Sequence, residues 1–167
     1  DLNLSVDVIG VPTKRHESGL AMSSRNSLLN QKQLVQAPLI YKTLLSMKQA
    51  IEEGQLTLNY QPKIDVASGK VVSVESLVRW KHPEHGFIFP DEFIPLAEQT
   101  GNIRHLTHWA IETALQEHVR LREIGFDIKM AVNISAVDVS DLELPPFVSN
   151  LLEKYSVAPS SLILEVT

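Results

Sequence analysis

From residue 55 onward this sequence predicts an α/β fold, a parallel or mixed sheet with helices on its outside. Two observations carry the prediction. Short β-branched runs and helical patterns follow one another in the order β, β, α, α, β, α, β, and strands joined by long crossover helices pair in parallel. Three polar residues, Glu75, Asn133 and Glu165, also stand late in otherwise apolar strands, where a carboxylate is costly to bury unless it is paired or bound to metal.

The elements follow in order. Residues 6–11 are mostly apolar and β-branched, a short strand ended by Pro12. A polar stretch, 13–19, leads through Leu20-Ala21-Met22 into Ser23-Ser24-Arg25-Asn26. Residues 31–53 have a helical pattern with a break or fresh start at Pro38 and a stop at Gly54. In residues 55–61, Leu56, Leu58 and Tyr60 alternate with polar residues, the mark of a half-buried strand. A turn at 65–70 contains Ser68-Gly69, and a β-branched strand occupies 70–80. Pro83, Gly86 and Pro90 suggest a loop, and Asp91 an N-cap for a helix through Ala97 with Glu92 in its first turn. Residues 102–124 form a long amphipathic helix closed by Gly125. A strand at 128–134, a helix at 145–155 opened by Pro145-Pro146, and a strand at 161–166 complete the pattern. A sheet that ends on a strand keeps an open edge, so the expectation is a truncated sheet that either dimerises with a second copy or is prone to aggregate.

Composition narrows the function. Apolar residues make up 44% and charged residues 21% of the 167, a globular balance, and the formal charge of −5 argues against a general surface for DNA or RNA. The absence of cysteine excludes disulfides, zinc-thiolate sites and iron–sulfur clusters and fits a reducing compartment. No apolar run reaches the ~18 residues that a membrane span needs, and the first residues carry no signal-peptide core. The expectation is a soluble, cytoplasmic chain. Walker A, Gly-x-Gly-x-x-Gly and Ser/His/Asp patterns are all missing.

Strand parity groups Ser73, Glu75 and Leu77 on one face, Ala131 with Asn133, and Ile163 with Glu165. If those strands are parallel neighbours, three oxygen donors converge at the C-terminal strand ends, where α/β barrels place their chemistry. Two carboxylates and an amide suit Mg²⁺ or Mn²⁺ better than zinc. Arg79, four residues past Glu75, offers a planar fork for a phosphate oxygen. From spacing alone, a structural Glu75–Arg79 ion pair with Asn133 capping a loop is the plainer expectation.

Five motifs occur in sequence: Leu58-Asn59-Tyr60-Gln61-Pro62, Val74-Glu75-Ser76-Leu77-Val78-Arg79-Trp80, Pro90-Asp91-Glu92-Phe93-Ile94-Pro95-Leu96-Ala97-Glu98, Ala131-Val132-Asn133-Ile134-Ser135 and Leu164-Glu165-Val166-Thr167. Together, from about residue 48, they resemble the EAL phosphodiesterases, which hydrolyse cyclic-di-GMP to pGpG with Mg²⁺ or Mn²⁺. The resemblance implies a partial TIM-like barrel, its first four strands, with the first strand antiparallel. It implies that Glu75, Asn133 and Glu165 bind metal, that Gln61 and Arg79 contact substrate, that Leu77 and Pro90 shape the site, and that Glu98 supports it from behind. Ser76 stands where the family signature has alanine. The family's remaining acidic ligands and its lysine have no counterpart here, so no catalytic set is complete, and binding or dimerisation without turnover is the alternative expectation.

Residues 1–45 carry a second resemblance. Val8-Ile9-Gly10-Val11-Pro12-Thr13, Arg15, Gly19-Leu20-Ala21-Met22-Ser23-Ser24-Arg25-Asn26 and Ala37-Pro38-Leu39-Ile40-Tyr41 resemble an internal stretch of pantothenate synthetase, an ATP-dependent ligase. It implies that Met22, Ser23, Ser24 and Arg25 are the remnant of an ATP loop, and divides the chain into 1–47 and 48–167. A surface loop followed by a helix is the plainer expectation. His82 with His85, and His105 with His108, have spacings that allow metal but lack carboxylate support, so ordinary histidines are expected; Trp80 and Trp109 are expected in packing, and 138–143 in a solvated loop.

Overall fold

The structure is a computed structural model that describes residues 14, 16–17, 20, 22–30, 47–83 and 86–167. The strand expected at 6–11, most of the helix expected over 31–53, and His85 lie outside the described residues. The chain divides into two compact units, Asp1–Thr43 and Leu44–Thr167. Within the first, the Met22 N–H donates to the Lys14 carbonyl and the His16 N–H to the Leu20 carbonyl, each at 2.9 Å. Ser24–Leu28 then forms a 3-10 turn in which the Ser27 hydroxyl donates to the Ser24 carbonyl at 2.8 Å.

The second unit opens with helical residues 47–52 (α1), whose Met47 and Ala50 are buried. β1 (Leu56–Ile64) and β2 (Val71–His82) form an antiparallel pair. Between them the Asp65 carboxylate accepts from the Ser68 N–H at 3.0 Å, and Gly69 takes φ +67°, which a side chain would oppose.

Beyond β2 the chain departs from the expected loop. Gly86–Ile88 forms a short strand, β3, antiparallel to β2. Gly86 has φ +73°, which sends the chain back along β2. α2 (Pro90–Gln99) is capped at Phe89 rather than Asp91. Proline at the first helical position has no N–H to leave unpaired, so Pro90 starts the helix and Asp91 and Glu92 fall in its first turn, against the positive end of the helix dipole. α3 (Ile103–Glu123) follows, burying Ile103, Leu106, Thr107, Ala110, Ile111, Ala114, Leu115 and His118 at three- and four-residue intervals.

β4 (Lys129–Ile134) pairs in parallel with β2, and β5 (Leu162–Val166) in parallel with β4. A short helix, α4 (Ala136–Val139), follows β4, and α5 (Leu144–Tyr155) precedes β5. The sheet order is β1-β2-β4-β5, with β3 paired to β2. It is an α/β fold and a partial barrel, with β1 antiparallel to the three strands that follow it in the sheet path.

The expected solvated loop at 138–143 is corrected in its first residue. Asp138 is 3% exposed. Thr107 Oγ1 donates to its Oδ2 at 2.6 Å, and the Ser135 N–H reaches the same oxygen at 3.3 Å. A short polar segment can hide a carboxylate when neighbouring elements supply the donors.

Two apolar clusters share the helix-covered face. Val74, Met130 and Val132 of the sheet pack with Ala110, Ile111, Ala114 and Leu115 of α3 and with Leu144 and Leu151 of α5. Trp80 packs with Met47, Phe93, Ala97, Ile103 and Leu106. Trp80 stands edge-on to Phe93, ring centroids 5.4 Å apart, and its indole N–H donates to Gln55 Oε1 at 3.1 Å. It is a packing residue, as expected. Burial of each large side chain here contributes about 1.5–3 kcal/mol, and this packing leaves the opposite face of the strands for polar groups.

Candidate metal and phosphate site

Register decides which side chains meet. Gln61 is opposite Glu75 across β1–β2, Glu75 opposite Ala131 across β2–β4, and Asn133 opposite Glu165 across β4–β5. By parity Gln61, Lys63, Glu75, Asn133 and Glu165 share one face. Contacts follow from that placement. Asn133 Nδ2 donates to Glu75 Oε1 at 2.9 Å. Lys63 Nζ donates to Glu165 Oε1 at 2.5 Å and lies 3.5 Å from Glu75 Oε2. The hydrogen bond to Glu165 raises the pKa of the Lys63 ammonium above its ordinary value, and the charges of Glu165 and Glu75 add to it.

One cation therefore touches both carboxylates already, and an amide stands beside them. A divalent cation needs the same convergence of hard oxygens, and Asn133 keeps an acceptor oxygen of its own. Among the described residues no three histidine, aspartate or glutamate side chains gather into a group that could hold a metal ion; the donors here are two carboxylates bridged by Lys63 and one amide, hard oxygens of the kind that divalent cations take.

Arg79 makes no ion pair with Glu75. Its Nη1 donates to the Val78 carbonyl at 2.8 Å, and the ion pair that Glu75 does make is with Lys63 instead. A cavity of about 290 Å³ lies where β2 and β4 end against α2 and α3. Glu75, Leu77, Arg79, Pro90, Glu98 and Asn133 all line it, next to apolar residues such as Leu58, Ile94 and Leu106. Gln61 and Glu165 do not line it; they join the site through the sheet face.

Glu98, on α2, accepts the Ser135 hydroxyl at 2.5 Å. The same hydroxyl accepts from the Val137 N–H at 3.2 Å, capping α4. Glu98 thereby fixes the backbone two residues beyond Asn133. Ser76 points to the helix side, is 4% exposed, and its hydroxyl has no hydrogen-bond partner.

The sequence reading missed Lys63, although its parity with Gln61 on β1 was available. It also missed the Thr107–Asp138 bond, which joins residues of no shared motif. Of the histidines, His108 stacks on Phe147, ring centroids 3.7 Å apart, and His105 is exposed. Met22, Ser23 and Ser24 are exposed within their own unit, and the Arg25 side chain lies outside the described residues.

A partial α/β barrel with hard oxygen donors gathered where its parallel strands end belongs among the barrel domains that carry their chemistry at that rim. The family model for the EAL domain matches residues 45–167, and the chain belongs to that family. It is 42% identical over 125 residues to the bifunctional diguanylate cyclase/cyclic di-GMP phosphodiesterase MucR of Pseudomonas aeruginosa, covering 74% of this chain and 18% of that protein. It is 35% identical over 162 residues to the cyclic di-GMP phosphodiesterase PA2567 of the same organism, covering 96% of this chain and 27% of that protein. The solved structure of the PaMucR phosphodiesterase in complex with c-di-GMP superposes with a TM-score of 0.71 at 41% identity, over 75% of this chain and 51% of that one. The chain thus spans about a fifth to a quarter of these curated relatives and half of the solved domain.

Proposed function

We propose that this chain supplies the metal-binding and phosphate-contacting rim of a cyclic-di-GMP phosphodiesterase site, with Mg²⁺ or Mn²⁺ as its cation. The observation that carries the proposal is the meeting of Glu75, Asn133 and Glu165 on one sheet face beside the cavity that holds Arg79. Glu75, Asn133 and Glu165 would hold the metal; a bound metal would polarise the phosphodiester and the attacking water. Arg79 would exchange its contact with the Val78 carbonyl for a phosphate oxygen, a stronger charge-assisted bond. Gln61 would contact the substrate from β1, Leu77 and Pro90 would shape the cavity, and Glu98 would hold the loop after Asn133.

Because the match spans 51% of the solved phosphodiesterase chain, we assign residues 48–167 to the first half of the domain and expect binding without turnover from the 167-residue chain. Incubation with cyclic-di-GMP and Mn²⁺, followed by chromatography for pGpG, tests this. No product together with measurable cyclic-di-GMP binding supports it. Product that disappears in Glu75→Ala shows that the site is complete and overturns the inactive assignment.

β1 and β5 each pair on one side only in the described sheet, so a homodimer through an open edge belongs to the same proposal, and sedimentation as a monomer refutes it. No described helix is long and apolar enough to cross a membrane; a cytoplasmic location rests on the cysteine-free composition. For residues 1–47, the PA2567 alignment covers 96% of this chain and so extends in front of the matched domain. That favours a lead-in segment over a pantothenate synthetase remnant. ATP binding that is lost in Arg25→Ala would reverse the preference.

A further inference from the structure

Lys63 touches two of the three assigned metal ligands and has no part in the metal and substrate contacts proposed above. Its ammonium is placed by two carboxylates, Glu165 at 2.5 Å and Glu75 at 3.5 Å. These come from strands that do not touch each other, because β4 lies between β2 and β5. Without a cation, the two negative groups would repel across the strand end. With the ammonium between them, they stay gathered and pointed inward. The lysine side chain is 38% exposed, and its four-carbon stem has rotamers that lead to water.

We propose that Lys63 is the resident counter-cation of the metal-free site, bridging Glu75 and Glu165 until a divalent ion displaces it. The inference rests on the assignment of Glu75, Asn133 and Glu165 as metal ligands. An ammonium and a divalent cation cannot both contact the same carboxylate oxygens without strong repulsion at such short range. The ion must therefore expel the ammonium to enter. Lys63 preserves the arrangement of the ligands and lowers the metal affinity at the same time. Once expelled it stands at the rim as a mobile positive charge.

Calorimetric titration of Mn²⁺ into the wild-type chain, Lys63→Met and Glu75→Gln tests the inference. Lys63→Met is expected to bind at least about tenfold more tightly than wild type, since a like charge has left the site, while Glu75→Gln binds more weakly. Equal or weaker binding in Lys63→Met, with Glu75→Gln still impaired, overturns the role of Lys63 and leaves the metal assignment intact. No binding in any of the three overturns the metal assignment and this inference with it. A second measurement needs no variant. Acetylation of the wild-type chain, read by mass spectrometry, is expected to rise at Lys63 on adding Mg²⁺ and to stay constant at the exposed Lys48. Unchanged or reduced labelling of Lys63 refutes displacement.

Discussion

The Glu98 carboxylate accepts a hydrogen bond from the Ser135 hydroxyl at 2.5 Å, tying α2 to the turn that follows Asn133. Ser135 also caps α4, so one side chain on a helix sets the direction in which β4 ends. Glu98→Ala leaves that hydroxyl without its acceptor and lets the turn relax. Groups that orient a metal ligand typically contribute 10–100-fold to metal affinity. The variant is therefore expected to bind Mn²⁺ about tenfold more weakly while keeping its far-ultraviolet circular dichroism; unchanged affinity means that Asn133 is held by its own strand.

Asp138 is a buried carboxylate that accepts from Thr107 on α3 and from the Ser135 N–H. Asp138→Ala strands both donors. Leaving buried polar groups unpaired costs about 1–3 kcal/mol, more where a charge was the partner. Urea denaturation is expected to show a loss in that range with an unchanged slope, and Thr107→Val in the same background should add little, because the two share one interaction.

Ser76 stands in a strand packed on the helices, with a buried hydroxyl that has no partner. Ser76→Ala removes a desolvated polar atom and opens only a small space. The expected result is a gain of roughly 1 kcal/mol in unfolding free energy. A loss of stability would show that the hydroxyl is satisfied in solution.

His108 stacks on Phe147, and burial lowers its pKa below the usual value of 6.5, ahead of the opposing pull of Asp141. The unfolded chain thus binds a proton more readily than the folded one. Stability from this group is fully present above pH 6.5 and is lost as the pH falls through the unfolded value toward the folded one. Thermal melts between pH 7.5 and 5 are expected to fall in midpoint, and His108→Gln should flatten that slope.

Much of the fold was legible because its signals are local. Alternation in β1, the β-branched run of β2, the three- and four-residue spacing of α3 and the glycine stop at Gly125 each need only a few neighbouring residues. β3 and the start of α2 were not legible in the same way. One depends on pairing across a reversal at Gly86, the other on proline taking the first helical position at Pro90.

The sequence by itself determined which residues are available for chemistry. Glu75, Asn133 and Glu165 could be picked out because a polar group late in an apolar strand is costly without a purpose, and five ordered motifs marked the family. Only the tertiary structure decided what they touch. Parallel register brought Asn133 onto Glu75, β1 delivered Lys63 to Glu165 across 102 residues of chain, and Arg79 turned to a carbonyl instead of a carboxylate. Periodicity fixes the face on which a side chain lies, whereas its partner depends on strand order, register and the reach of the side chain. Those are properties of the assembled sheet that no single segment encodes.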